Sequence, residues 1–271
     1  MADIGTSAFL GEPFPRDVVR SILNVGLQGA PVFDSFTRMT TNRSSVAFPT
    51  SDPSGFDWVA ELGEIPAADL GDDAAIVTPA KIAGRLLVSN EAVSDTEFPL
   101  ASEIGRLIQG GLAAKADADL TYGSGPAPEP TGFLAALDSG SGATLRAAVV
   151  DAVAQILAAG GKPTHVILSP SLWQDEMDRR EETEVAGGAL FADLGMPLTV
   201  SVASTLQAGD GLVFDRSGCY GVVRNDASIE ASRESADAWT HDAVSLRVKA
   251  RLAVAIPAPG KAIRSLAVLS S

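Results

Sequence analysis

The chain has 271 residues, 46% hydrophobic and 20% charged, so it folds into a globular protein, since a disordered chain lacks the apolar surface that offsets ordering entropy. Its 34 acidic and 20 basic residues give a formal charge of -14, which repels nucleic acid phosphates on average and excludes sequence-specific DNA binding as the main activity. One cysteine, Cys219, with only His165 and His241 to join it, excludes an internal disulfide and a cysteine-cluster metal site; no cofactor is expected.

That length suits one large domain or two modest ones. No apolar run approaches the roughly 18–20 residues of a membrane span, and the start MADIGTSAFLGEPFPRD has neither the basic nor the apolar region of a secretory leader, so no membrane partner is expected and synthesis should be cytoplasmic.

In chain order, PRDVVRSILNVGL at 15–27 places Val18, Val19, Ile22, Leu23 and Leu27 at helical spacing with proline in the first turn. Beyond Pro31 short strand-like runs alternate with Ser, Pro, Gly and Asp as far as LLVS at 86–89, an excursion expected to have only a weak core of its own. Between Asp34 and Asp73 it carries eight acids (Asp34, Asp52, Asp57, Glu61, Glu64, Asp69, Asp72 and Asp73) against two bases, Arg38 and Arg43. A long acidic segment of this kind serves an interface or is a solvated loop. Trp58, ringed by acids, is an interface anchor or part of a small cluster beneath the loop.

PLASEIGRLIQGGLAAKADADL, from Pro99, predicts the longest helix, with Leu100, Ile104, Leu107, Ile108 and Leu112 as its buried stripe. Its Gly110-Gly111 pair implies a bend or close packing against a neighbouring backbone. After YGSGPAPEPTGFL at 122–134, TLRAAVVDAVAQILAAGGK predicts a helix burying Leu145, Ala148, Val149, Ala152, Val153 and Ile156, stopped by Gly160-Gly161. THVILSPSLWQDEMDRR reads as a buried strand at 166–168, a Ser169 N-cap, Pro170 in the first turn and a helix. PLTVSV, GLVFD, CYGVVR and SIEAS are short strands. AVSLRVKARLAVAI alternates strictly, with Val244, Leu246, Val248, Ala250, Leu252, Val254 and Ile256 facing inward and Arg247, Lys249 and Arg251 forming a basic outer stripe.

The glycine-rich YGSGPAPEPTGFL is not a phosphate loop. It lacks the lysine and hydroxyl of that motif, and its prolines remove the N–H donors a phosphate needs. Gly123, Gly125, Pro126, Pro130 and Gly132 read instead as a joint, the prolines holding the chain extended and the glycines letting it change direction. Nucleophile-elbow, zinc-protease and calcium-loop patterns are missing. His165 reads as a structural histidine and Cys219 as a small buried residue; His241 beside Asp242 is a remote candidate for an enzyme dyad. The basic stripe and the acidic excursion are complementary, as in a homo-oligomer.

FDWVAELGEIPAAD, TPAKIAGRLLVSNEAVSD, ADADLTYGSGPAPEPTGFL and THVILSPSLWQDEM resemble, in order along almost the whole chain, stretches of the major capsid proteins of tailed bacteriophages with the HK97-like (Hong Kong 97 type) fold. The resemblance implies an α+β fold: an N-terminal arm at 1–30, an extended loop at 31–84, a peripheral domain with its spine helix at 85–130, a mixed axial domain at 131–226, and a peripheral return strand at 227–271. It implies a structural protein, not an enzyme, forming pentamers and hexamers of an icosahedral virion capsid around double-stranded DNA, assembled in the host cytoplasm with portal, separate scaffold and decoration proteins. An encapsulin-type compartment enclosing cargo enzymes is the alternative. Arg38, Arg43, Trp58, Glu61, Glu64, Asp69, Asp72, Asp73, Arg247, Lys249 and Arg251 are then the expected inter-subunit contacts. Relatives often carry a long N-terminal scaffolding extension, which is not expected here, so a separate scaffold or none should act. Some relatives weld subunits through a lysine on the extended loop; residues 31–80 contain no lysine, which predicts a shell without cross-links.

Overall fold

The computed structural model describes residues 29–50, 54–67, 73–90, 100–125, 127–182, 190–191, 194–224, 228–232 and 234–269. The helix expected at 15–27 lies outside them, as do Asp52, Asp69, Asp72 and Pro126. In chain order, α1 (Pro31–Ser35) and β1 (Thr37–Thr41) are followed by the hairpin strands β2 (Val46–Pro49) and β3 (Ala74–Val77), then β4 (Ala80–Ser89) and α2 (Leu100–Tyr122). Next come β5 (Ser139–Gly142), α3 (Leu145–Ala158), β6 (His165–Leu168), α4 (Pro170–Glu182), β7 (Thr199–Val202) and β8 (Gly211–Phe214). The chain closes with β9 (Tyr220–Arg224), β10 (Ser228–Ser232), α5 (Ala236–Thr240), β11 (Ala243–Ala255), α6 (Pro259–Ala262) and β12 (Ile263–Val268).

The predicted long strand, β11, organises the first sheet. One edge pairs antiparallel with β4 from Ala243↔Ser89 to Leu252↔Ala80. The other edge takes β10 and then β9, and β1 runs parallel to β9 outside it. Ala250 and Leu252 of β11 pack with Ala113, Ala116 and Leu120 of α2, while Val244 and Leu246 meet Val88 of β4 and Ile108. Strand alternation therefore sends the even residues toward the helix and Arg247, Lys249 and Arg251 away from it. The outer face is not open throughout: Ala253 and Ala255 are buried under Phe48 of the hairpin and Val222, so the strand is covered on both faces at that end.

The second sheet has the order β5-β12-β8-β6-β7. Val166, Leu168, Val213 and Leu266 meet the expected face of α3, whose six predicted residues are all buried. Ile167, Leu212, Phe214 and Ile263 point to the opposite side, against Val32, Phe36, Ala203, Leu206 and Cys219. Burial on both faces explains why VIL and LVF are continuous apolar runs. Ser169 supplies the expected cap, its hydroxyl accepting from the Leu172 amide at 3.4 Å. The final strand joins this second sheet, so the last segment is not purely a return to the first.

Four expectations change. Pro31–Thr41 is not excursion: Val32, Phe33 and Phe36 are buried in the body, because Pro31 starts a short helix whose apolar residues mimic a strand-like run. β4 pairs with β11 throughout, so the division expected at 84/85 falls inside a strand. On α2 the buried side is Gln109, Ala113, Ala116, Asp117, Leu120 and Thr121, whereas Leu107 is 59% exposed; small residues there let the helix approach Ala30 and Ala250 closely. The helix runs unbroken through Gly110-Gly111, and a Cβ built on either glycine would meet nothing within 4 Å among the described residues, so the close packing expected of the pair is not found.

Phe36 ties the two sheets together, edge-on to Phe133 (centroids 5.6 Å apart) and Phe214 (5.2 Å). Phe36→Ala should cost about 3–5 kcal/mol, read from denaturant unfolding, and Phe36→Leu clearly less; equal unfolding midpoints for the two variants would show that the aromatic contacts contribute little.

Candidate functional site

Beyond the β2–β3 hairpin the chain leaves the body, and its side chains lack a core to enter. Trp58 is 99% exposed, Ile65 82% and Phe56 76%, and Leu62 is fully exposed. A tight turn shapes the segment, with the Gly63 amide donating to the Ala60 carbonyl at 2.8 Å and Leu62 at φ 66°. The Trp58 amide donates to the Asp57 carboxylate at 2.8 Å. Asp57, Glu61 and Glu64 are exposed alongside. Of the two readings of Trp58, a satellite cluster would bury it; full exposure among other large apolar groups is the pattern of a binding surface. Asp73 sits at the hairpin base, where its carbonyl accepts from the Thr50 amide at 3.1 Å. Asp69 and Asp72 lie outside the described residues.

The basic stripe is broader than the sequence pattern. In the β4–β11 register Arg85 stands opposite Arg247 and Lys81 opposite Arg251, so five cations, Lys249 included, share one sheet face. Opposed like charges work against strand pairing. Glu230 of β10 moderates this, accepting from Lys249 Nζ at 2.8 Å and pairing with Arg247. Lys81 and Arg85 were legible as the i, i+4 cations of KIAGR, but only the pairing puts them beside Arg247 and Arg251. Arg38 is engaged within its own subunit, bonded to Asp34 at 2.9 Å, and Arg43 is exposed.

The joint is not extended. The Gly123 amide caps the helix on the Asp119 carbonyl at 2.8 Å, the Gly132 amide returns to the Gly123 carbonyl at 2.8 Å, and Ser124 bridges Thr131. The described flanks, 123–125 and 127–132, close on each other at the end of α2. A Cβ at Gly123 would overlap the Pro130 carbonyl oxygen, and Gly125 has φ +56°, so glycine is required at both. Pro130 thus serves the closure by its carbonyl rather than by holding an extended chain.

Sequence reasoning missed Asp117. It is 1% exposed on α2, accepting from the Phe33 amide at 2.8 Å, the Val32 amide at 3.2 Å and the Thr205 hydroxyl. One turn on, Tyr122 Oη donates to Asp210 at 2.6 Å and accepts from the Gln207 amide at 2.8 Å. Burial pushes the Asp117 carboxyl up, against the pull of these hydrogen bonds. The signal was only an acid within the helical AKADADL.

His165 stacks on Phe214 (centroids 5.4 Å apart), and burial followed by Arg216 lowers its pKa, as suits a structural ring. Cys219 is fully buried, and burial pushes its thiol up. Asp242 accepts from Asn90 Nδ2 at 2.7 Å, while His241 Nδ1 lies 3.0 Å from the Thr240 hydroxyl. No group of His, Cys, Asp and Glu that could hold a metal occurs among the described residues.

The profile of the phage capsid family matches residues 13–267. The chain belongs to that family. As a capsid protein it is a structural component of the virion, and its α+β fold is HK97-like, as the residue patterns suggested. A structure from Microbacterium phage Oxtober96 is 18% identical with TM-score 0.68, covering 88% of this chain and 91% of that one. One from Mycobacterium phage Bobi is 20% identical with TM-score 0.64, covering 100% of both. The capsid of a native GTA particle is 18% identical with TM-score 0.59, covering 90% of this chain and 91% of that one. No curated protein sequence matches the capsid protein.

Because Trp58 makes no buried contact within its own capsid subunit, Trp58→Ala should leave the thermal unfolding midpoint of the unassembled chain unchanged. A fall of several degrees would mean that the indole packs on its own subunit.

Proposed function

We propose that this chain is the major shell subunit of a tailed-phage head, forming pentamers and hexamers around double-stranded DNA. The observation that carries this reading is the exposed set Phe56, Trp58, Leu62 and Ile65 on an acidic segment of a phage capsid family member. An exposed apolar set of this kind marks a surface that a neighbour covers. Asp57, Glu61 and Glu64, with Asp69, Asp72 and Asp73 further along, complement the face bearing Arg247, Lys249 and Arg251 on an adjacent copy, with Arg43 as an outlying cation. Each contact is modest, and closure of a shell multiplies them.

The segment between β1 and β4, residues 42–79, acts as the extended loop, the sheet around β11 with α2 as the peripheral part, and the second sheet with α3 and α4 as the axial part at the capsomer centre. Assembly takes place in the host cytoplasm, with portal, separate scaffold and decoration proteins as partners. The net charge of -14 suits an inner wall that lets packed DNA slide rather than adhere.

Trp58→Ala should reduce particle yield, seen by electron microscopy of purified material, while the soluble subunit stays folded. Arg247→Glu combined with Arg251→Glu should abolish shell growth in light scattering; unchanged growth would remove the basic face from the interface. Boiled, denatured particles should run as one monomer band on a gel, and a ladder of multimers would refute the shell without cross-links. Particles from the native source should hold nuclease-protected DNA, whereas a protein cargo would favour the compartment alternative.

A further inference from the structure

Two stretches of the chain share one apolar spacing. On α2, Leu107 is 59% exposed, Gly111 and Ala114 are exposed and Gly110 is half-buried. In the sequence, steps of four, three and four residues run through Leu100, Ile104, Leu107 and Gly111. The same steps run through Val18, Ile22, Val25 and Gly29 of PRDVVRSILNVGLQG, with Arg16, Asp17 and Arg20 off that line. Such steps set residues in one seam along a helix, and two matching seams interlock side by side. A lone exposed leucine needs no explanation. Two adjacent glycines inside a 23-residue helix do, because each weakens it, and no described residue occupies the space above them.

The entry of the chain points to what fills that space. The described residues begin at Gly29, and a Cβ built there would lie 3.7 Å from the Gly110 Cα and from the Ala113 Cβ. From Gly29 the chain advances in the direction of α2 itself, since the Val32 and Phe33 amides donate to Asp117, about two turns beyond Gly110. Traced back, the preceding residues run toward Leu107 and the start of the helix. Only Gln28 separates Leu27 from Gly29, and two residues of chain reach about 7 Å at most, so Leu27 stays beside this part of α2. We infer that residues 15–27 pack in cis as a helix parallel to the first half of α2, with Val25 over Leu107 and the Gly110-Gly111 notch admitting their close approach.

The spacing also sets the register. Gly29 with Gly111, Val25 with Leu107, Ile22 with Ile104 and Val18 with Leu100 all have the same separation in sequence, so parallel helices keep the four pairs in step. Residues 15–27 as a helix are about 20 Å long, close to the roughly 17 Å of α2 from Leu100 to Gly111. A second copy is the poorer occupant, because the tethered segment is present at the higher effective concentration. The segment is then part of the subunit body and not a strap to a neighbour.

The test uses the unassembled full-length chain, so no neighbouring copy covers α2 and failure of the shell reading leaves the outcome unaffected. Leu107→Cys should react with a maleimide about tenfold or more slowly than Leu157→Cys, although among the described residues Leu107 is the more exposed, 59% against 46%. The natural Cys219 is buried and stays silent in both. Ile22→Asp combined with Val25→Asp should bring the Leu107→Cys rate up to that of Leu157→Cys. Equal rates without those two substitutions, or a slow rate that they do not raise, overturn the inference. If the cysteine variants do not fold, methyl nuclear Overhauser contacts in the natural chain decide. Contacts of Val25 with Leu107 within one copy support the inference; their absence, or contacts seen only between labelled and unlabelled copies, overturns it.

Discussion

The antiparallel pairing of β4 with β11, from Ala243↔Ser89 to Leu252↔Ala80, is the constraint on which the rest of the molecule depends. Strand geometry gives each member of the pair two faces. One face carries Val88, Val244, Leu246, Ala250 and Leu252, against which the long helix lies; the other gathers Lys81, Arg85, Arg247, Lys249 and Arg251. A slip of one residue in this register would turn the cations into the helix and the apolar set into water. The same ladder that makes the core thus makes the charged surface proposed to meet a neighbour.

The second sheet is fixed to this frame by apolar packing and by two polar grips of the long helix. Phe36, Phe214 and Ile263 fill the space between the sheets, and Asp117 and Tyr122 reach over its edge to the 203–210 connection. The folded-back loop after Tyr122 belongs to the same junction: it delivers Phe133 onto Phe36 immediately after closing on Gly123. A stretch that as sequence suggested an extended strap is a compact corner, because its glycines allow two backbone segments to touch. The exposed hairpin extension is the counterpart: it has no core, and Trp58 and Leu62 face water in the isolated subunit.

Much of the candidate site could be read in advance. The apolar period of 3.6 in TLRAAVVDAVAQILAAGGK named every buried residue of α3, and the alternation in AVSLRVKARLAV named Arg247, Lys249 and Arg251 as outward. Trp58 stood out as an aromatic among acids, though only its exposure distinguishes a surface anchor from a small local cluster. Other features had no local signal. In α1 five residues are too few for helical periodicity to separate from a strand-like run. Leu107 looked like core and is exposed, because α2 rests on its alanines. Asp117 drew no reading from the sequence and is buried, because its partners are supplied by α1 and by Thr205, which stands 88 positions away.

The sequence by itself therefore determined most of the elements, the inward and outward faces of α3 and β11, the Ser169 cap and the family to which their order belongs. Those properties are written within one or two turns of helix or a few residues of strand, where backbone sterics and side-chain spacing act. Only the tertiary structure decided that Lys81 and Arg85 join the basic face, that the last strand returns to the second sheet, that the glycine-proline stretch closes on itself, and that a carboxylate sits at the junction of three chain segments. Each of these depends on which distant residues become neighbours, and that is set by burial and register summed over the whole core rather than by any one stretch of it.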